Sequence, residues 1–267
     1  MSLLEVASSF NPFFTYLFLN PTTHPCEKTS LPSLEEKSFL EKKVKELAGK
    51  MGLSKPVEIV YTAVSLTPFS VSPQSIFSDK NIIHIAPETI KAVNLAPPEM
   101  EFLLGHELAH IKKNDILTTL ALRLTVAAIC TVAFAWLFPA ANIFFVSTLM
   151  APLVPISCAA LAGHLSGTLA SALYMRFIES RADKLGWEYS SLEGKRAAPS
   201  FFKKIIDFQL KTRNNSSTPL SLFIRKLLIS EEGNSRIDIV HPPLTERVRY
   251  LTELNNATRH AMQAPAY

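Results

Sequence analysis

The stretch His106-Glu107-Leu108-Ala109-His110 contains the side chains of this chain that are best spaced for catalysis. Histidines four positions apart lie on one face of a helix, so both ring nitrogens can reach one tetrahedral metal ion. Glu107 lies beside them, where a carboxylate can accept a proton from water, and zinc lowers the pKa of a water that it binds to about 7. The stretch therefore predicts a hydrolytic site with one zinc ion per chain and Glu107 as general base.

The residues before this stretch indicate that it lies on a helix. Pro97-Pro98 begin the segment, and Glu99–Gly105 follows with apolar residues at helical spacing and acidic residues in the first turn. Five residues can match by chance, and a helix can carry two surface histidines without a metal, so a third ligand is needed. Ile111–Asp115 contains neither the glycine nor the third histidine of the metzincin continuation, which leaves a distant glutamate as the candidate.

Glu179 and Asp183 are two carboxylates four positions apart on what reads as one helical face. Glu179 is the candidate third ligand, and Asp183, one turn later, is suited to accept the spare N–H of a ligating histidine and fix its orientation. The alternative is an exposed helix on which these carboxylates, Arg181 and Lys184 only solvate one another. The pattern alone leaves both interpretations open.

The segment between the two motifs is too apolar for an ordinary water-facing surface. From Ile116 to Met175 the only charged side chain is Arg123. Two runs, about Leu117–Phe138 and Ile143–Leu161, each approach the roughly 20 residues that a membrane-spanning helix requires. We therefore predict a transmembrane helical hairpin, with a buried helical pair in a soluble-type enzyme as the alternative, because prolines, serines and threonines dilute the second run.

A hairpin returns the chain to the side of the membrane that it left, which is what a site shared between His110 and Glu179 requires. Basic residues flank the hairpin on both sides, and such residues favour the cytoplasmic face. They are Lys112, Lys113, Arg176 and Arg181.

The order of these motifs resembles the HtpX-type integral-membrane zinc metalloproteases, which are related to the CAAX prenyl endopeptidases. In that family an HExxH helix is followed by an apolar hairpin, an ExxxD helix and a His-Pro-Pro segment. The matching stretches are His106–His110, 116–175, Glu179–Asp183 and His241-Pro242-Pro243, within a resemblance that covers roughly Leu34–Thr252. The resemblance implies His106, His110 and Glu179 as zinc ligands, Glu107 as general base, and hydrolysis of peptide bonds.

The N-terminal segment departs from that family, whose members usually begin with two membrane helices. Met1–Glu5 has no basic region of the kind that opens a signal peptide. The apolar stretch Phe10–Leu19 is too short to span a bilayer and is interrupted by Pro12. We expect residues 1–33 to form a separate segment at the membrane interface.

The remaining pattern predicts an α+β, mainly helical fold. The expected domains are a zincin-like metalloprotease domain, 34–115 and 176–267, and the inserted transmembrane hairpin, 116–175. An amphipathic helix over Leu34–Gly52 and strands at Val57–Tyr61 and Ile82–Ile85 precede the histidine helix. Helices follow at about Phe201–Leu210, Leu220–Leu228 and Leu244–Ala261.

Two residues near the C-terminus are further candidates. His241 can donate a hydrogen bond to the oxyanion of a tetrahedral intermediate, or else it only packs before Pro242-Pro243. Arg247 can pair with Asp183 or bind substrate, or else it lies on a solvated helix face.

The charge pattern of the chain argues against nucleic acid as a partner and favours anionic lipid headgroups. Its net charge is +4, and no run interleaves basic with aromatic residues. We predict a multi-pass zinc endopeptidase of the cell (inner) membrane with its site facing the cytoplasm, and damaged or misfolded membrane proteins as the substrates that the resemblance implies. The alternatives are a peripheral zinc protease and a zinc-retaining membrane scaffold without activity.

Overall fold

The computed structural model describes residues 32–62, 69–72, 78–141, 153–215 and 219–263. The predictions for residues 1–31 and for the turn of the hairpin lie outside this range. The helices are α1 (Leu34–Met51), α2 (Pro87–Val93), α3 (Pro97–Lys112), α4 (Asp115–Ala141), α5 (Leu153–Tyr189), α6 (Leu192–Asn214), α7 (Pro219–Leu228) and α8 (Leu244–Gln263). The strands are β1 (Val57–Tyr61), β2 (Phe69–Val71) and β3 (Asn81–Ile85). The mainly helical fold with a small sheet is confirmed.

Helix α1 begins and ends as its sequence predicts. The Ser33 hydroxyl accepts a hydrogen bond from the Glu36 amide, and the Glu36 carboxylate accepts one from the Ser33 amide. The helix ends at Gly52, whose φ of 68° is in the left-handed region that glycine tolerates. Its apolar stripe is buried in the main core: Leu40, Val44, Leu47 and Met51.

The sheet has the strand order β1-β3-β2. β1 is parallel to β3, and β2 is antiparallel to it. The buried face of the sheet includes Ile83, Ile85 and Phe69, and α3 packs against β2. The two longer strands were predicted from alternation, whereas β2 has only three residues and was not.

Helix α3 runs through the core and carries two of the three predicted metal ligands, His106 and His110. Phe102, Leu104 and Leu108 are fully buried, and Phe102 packs edge-on against Phe202 of α6. Glu99 is also buried, where its carboxylate accepts hydrogen bonds from three donors: Ala96 N, Ser200 Oγ and Lys204 Nζ. A rigid helix therefore presents the histidines.

Helices α4 and α5 pack antiparallel over their described residues, and whether they cross a membrane as predicted is a separate question. The backbone of Gly163 lies against Ala127 and Thr131, and that of Gly167 lies against Arg123. α5 is one continuous helix of 37 residues, so the predicted domain boundary at 175/176 falls inside it.

Large apolar side chains on both helices of the hairpin are exposed. They include Leu117, Leu120, Leu124, Ile129, Val132, Phe134, Trp136, Leu161, Leu165, Leu169, Leu173 and Phe177. Among the described residues, one helical stretch, Asp115–Phe134, is long and apolar enough to cross a membrane. The described part of α5 does not meet that standard, because polar residues such as His164, Ser166 and Thr168 dilute it.

Candidate metal centre

The site forms where α3 and α5 cross at a pair of glycines. A Cβ atom on Gly186 would lie 2.7 Å from the His106 amide nitrogen, and one on Gly105 would lie 3.0 Å from the Gly186 carbonyl oxygen. Only glycine permits the two backbones to approach this closely. The crossing brings carboxylates of α5 next to the histidines of α3.

Three residues with potential ligand atoms converge at this crossing. The Nε2 atoms of His106 and His110 are 3.1 Å apart. Glu179 places Oε2 3.4 Å from His106 Nε2 and Oε1 3.5 Å from His110 Nε2. Ligands held tetrahedrally at the usual zinc–nitrogen distance lie about 3.3 Å apart, and each of these three distances is close to that value.

The far nitrogen of each histidine is held by a buried aspartate. His106 Nδ1 lies 2.9 Å from Asp183 Oδ1, and His110 Nδ1 lies 2.9 Å from Asp115 Oδ2. When Nδ1 donates its proton to the aspartate, the Nε2 atom of each neutral histidine keeps a lone pair with which it can bind a metal ion. Three electron-pair donors that face one point fit a cation, and His106, His110 and Glu179 could hold a metal ion.

The electrostatics of the site also favour positive charge. Burial disfavours the charged form of His106, but its contacts with Asp183 and Glu179 outweigh burial and raise its pKa to about 10. Burial likewise opposes ionisation of Glu179, yet His241, His106 and His110 hold the pKa of its carboxyl well below its usual range. The carboxylate is thus kept ionised as a ligand requires.

Asp183 also connects the histidine helix to α8. It accepts hydrogen bonds from Arg247 Nε at 2.7 Å and Nη2 at 2.6 Å. Arg247 is buried, its Nη2 lies 3.5 Å from Glu179 Oε2, and its guanidinium lies over the Phe202 ring. Burial raises the pKa of Asp183, but Arg247 and His106 outweigh that effect and lower it.

Asp115 has a matching role at the other histidine. Besides His110, its carboxylate accepts a hydrogen bond from Arg181 of α5. The first residue of α4 and the last turns of α5 therefore meet beside His110. The helical hairpin closes at the metal centre.

His241 faces the centre without reaching a ligand. Its Nε2 lies 3.8 Å from Glu179 Oε1, which is too long for a hydrogen bond. Its Nδ1 lies 3.0 and 3.1 Å from the two carboxylate oxygens of Asp238, which also accepts hydrogen bonds from the backbone amides of His241 and Val240. Burial lowers the pKa of His241, but Glu179 and Asp238 outweigh it and raise the pKa.

Glu107 follows His106 on α3 and is half-buried. Within the described part of the chain, no hydrogen-bond or ion-pair partner is found for its carboxylate. A carboxylate without such a partner retains its capacity to accept a proton.

The predicted residues thus come together, and three further ones complete their surroundings. The expectation that Asp183 orients a histidine agrees with its contact to His106, and of the interpretations of Arg247 the pairing with Asp183 is the one observed. Asp115, Asp238 and Gly186 were missed. Asp115 stands five residues after His110 and Asp238 three before His241, which is a spacing signal but a weak one.

The sequence of residues 35–255 matches the model of peptidase family M48. The chain belongs to peptidase family M48. The family consists of metallopeptidases, so this M48 protein is a metalloprotease that hydrolyses peptide bonds in polypeptide substrates. It is 24% identical over 223 residues to a protease HtpX homolog of Methanocaldococcus jannaschii, across 82% of this chain and 76% of that protein. No solved structure matches it significantly.

Proposed function

We propose that this M48 protein is a membrane-embedded zinc endopeptidase that cleaves damaged or misfolded membrane proteins, with its centre facing the cytoplasm. The observation that carries the proposal is the pair of helices α4 and α5, which exposes a dozen large apolar side chains and has one end at the three residues that could hold a metal ion. A soluble monomer rarely exposes so much contiguous apolar surface. A bilayer is the environment in which such a surface is stable.

The contact between Asp115 and Arg181 supports an even number of membrane crossings between the two halves of the site. These residues stand at the start of α4 and near the end of α5, so both ends of the hairpin lie on one side. Lys112, Lys113 and Arg176 flank the same end, and basic flanks favour the cytoplasmic face.

Zinc is the metal that the ligand set favours, since two imidazoles and one carboxylate are the donors of many catalytic zinc sites. Held by His106, His110 and Glu179, it would supply Lewis acidity toward the scissile carbonyl. Glu107 takes a proton from the attacking water and passes it to the departing amine. His241, oriented by Asp238, donates from Nε2 to the developing oxyanion.

The small sheet offers a place for an extended substrate. β2 is an edge strand that packs against α3, the helix of the histidines. An edge strand can hold a peptide by backbone hydrogen bonds, which fixes an extended chain while tolerating varied side chains. An unfolded segment fits this mode, in keeping with the substrates that the HtpX-type resemblance implies.

The test compares the unmutated protein with Glu107→Gln, both purified in detergent under chelation and then reloaded with zinc. Digestion of an unfolded test protein and the zinc content are measured for each. Zinc in both proteins with cleavage only by the unmutated one supports the proposal. Cleavage by both proteins would exclude Glu107 as the base. Failure of the unmutated protein to bind zinc would exclude His106, His110 and Glu179 as its ligands.

The membrane part of the proposal is tested separately by extraction of membranes with alkaline carbonate. A spanning hairpin keeps the protein in the membrane pellet. Release by carbonate or by high salt would contradict the spanning hairpin and leave a peripheral protease.

A further inference from the structure

Helix α7 has an apolar side that nothing in the described protein covers. Leu220, Phe223 and Leu227, called here the α7 apolar face, are 70%, 65% and 56% exposed. Their spacing places them on one side of the helix. No residue of α7 is fully buried, and an isolated helix of ten residues is marginal in water. An external partner would stabilise it.

The charge around α7 indicates what that partner is. Helix α7 contains the basic residues Arg225 and Lys226 and no acidic residue. Lys203 and Lys211 of α6 are also basic, whereas Lys204 pairs with Glu99 and Arg213 with Glu231. On α7, the exposed Lys226 lies beside Phe223 on the helix surface. A short amphipathic helix with an aromatic and aliphatic face and basic flanks is typical of a segment that lies on an anionic membrane surface.

The end of α7 lies close to the exposed part of α5. The Arg236 amide donates to the Leu228 carbonyl at 2.8 Å, and Ile239 follows within about 10 Å of extended chain. The Ile239 carbonyl accepts a hydrogen bond of 3.0 Å from Arg176 Nε. Arg176 stands between Leu173 and Phe177, two exposed apolar residues of the hairpin.

We propose that the α7 apolar face docks into the anionic headgroup layer of the same membrane that the hairpin crosses, and so holds the metal centre at the membrane surface. This inference rests on the proposed membrane function. It assigns α7 a role that a hairpin anchor alone does not require. His241 lies two residues after Ile239, so docking of α7 would also set the height of the catalytic cleft above the lipid.

The test places a fluorescent nitrobenzoxadiazole probe on the full chain at Leu227→Cys, with Cys26, Cys130 and Cys158 changed to serine. The protein is reconstituted into vesicles of phosphatidylcholine with phosphatidylglycerol that contain a spin-labelled quencher lipid. Probes at Leu124→Cys in the hairpin and at Glu253→Cys on the exposed side of α8 are the positive and negative controls. We expect blue-shifted, quenched emission at 227 and 124 and neither effect at 253.

The outcomes separate failure of this inference from failure of the proposed function. Quenching at 124 without quenching at 227 keeps the membrane hairpin and overturns docking of α7. Absence of quenching at both positions overturns both. Equal quenching at 227 in vesicles of phosphatidylcholine alone overturns the anionic surface as the partner. A blue shift at 227 that rises with protein concentration and is not quenched overturns it in favour of a second copy of the chain.

Two variants sharpen the test. Phe223→Gln and Lys226→Glu should each reduce the quenching at 227, because the first removes apolar contact and the second reverses a charge next to it. Leu192→Gln changes an exposed leucine at the start of α6 and should leave the quenching unchanged. An equal loss in all three variants would show a general effect on folding and would overturn the assignment of this face.

Discussion

The guanidinium of Arg247 donates to both carboxylate oxygens of Asp183, and the same carboxylate holds Nδ1 of His106. Arg247 and Asp183 are both buried. We expect Arg247→Met to lower the free energy of unfolding by about 3–5 kcal/mol, because it removes both arginine hydrogen bonds from the buried Asp183 charge and leaves only the contact with His106. Denaturant unfolding of the protein in detergent measures the change.

Arg249→Met, two residues away, is the matched control. Its side chain is 74% exposed, and its Nε lies 4.0 Å from Glu253 Oε1, which is a long distance for an ion pair. We therefore expect a change within about 0.5 kcal/mol. If the two methionine variants unfold at the same denaturant concentration, the pair of Arg247 and Asp183 does not stabilise the fold.

Asp115 should strengthen metal binding through its contact with His110. Asp115→Asn keeps an oxygen that can accept the Nδ1 proton but removes the charge that makes the imidazole a stronger ligand. We expect metal affinity to fall about 10–100-fold, which is the usual cost of changing such a supporting residue. Competition with a chromophoric chelator measures it. Asp207→Asn, an exposed change on α6, should leave the affinity unaltered; equal affinities in both variants would exclude a role for Asp115.

The candidate ligands could be found from the sequence in two steps. Residues four apart share one face of a helix, so spacing alone indicated His106 and His110, whereas for Glu179 and Asp183 it left a solvated helix face open, and the order of the motifs, which resembles the HtpX-type family, favoured the ligand. The apolar stripe of α1 and the alternation of β1 could likewise be recognised from spacing. Periodic segments of adequate length therefore agree with the structure.

The missed features depend on distances between segments that the sequence does not contain. Gly186 gives no local signal, because only the crossing of α3 over α5 makes its missing side chain important. Strand β2 is too short to show alternation. Asp238 stands in an irregular loop, where residue spacing does not determine which way a side chain faces.

The contact between Gly186 and His106 should make Gly186→Ala disruptive. The added Cβ would lie 2.7 Å from a backbone nitrogen of α3, so the two helices must separate. We expect a loss of about 1–3 kcal/mol in unfolding free energy together with weaker metal binding, because Glu179 and Asp183 move away with α5. Denaturant unfolding and chelator competition measure the two effects.

Gly49→Ala is the control for this substitution. Gly49 lies within α1, is exposed, and has nothing within 4 Å of an added Cβ. Alanine in a helix interior is favoured over glycine by about 0.5–1 kcal/mol, so this variant should be slightly more stable. A Gly186→Ala protein that binds metal as tightly as Gly49→Ala would contradict the importance of the close crossing.

Asp238 should act on catalysis by orienting His241. If His241 stabilises the oxyanion, His241→Ala lowers kcat about 10²-fold or more, with KM and zinc content unchanged. Asp238→Ala should give a smaller loss of the same kind, because the ring loses the acceptor that turns Nε2 toward Glu179. Asp238→Asn should restore part of kcat, since its amide oxygen can still accept the Nδ1 proton and the two backbone amides. Equal kcat in the unmutated protein and Asp238→Ala would exclude this orientation, whereas zinc loss in Asp238→Ala would show that the loop supports the ligands themselves.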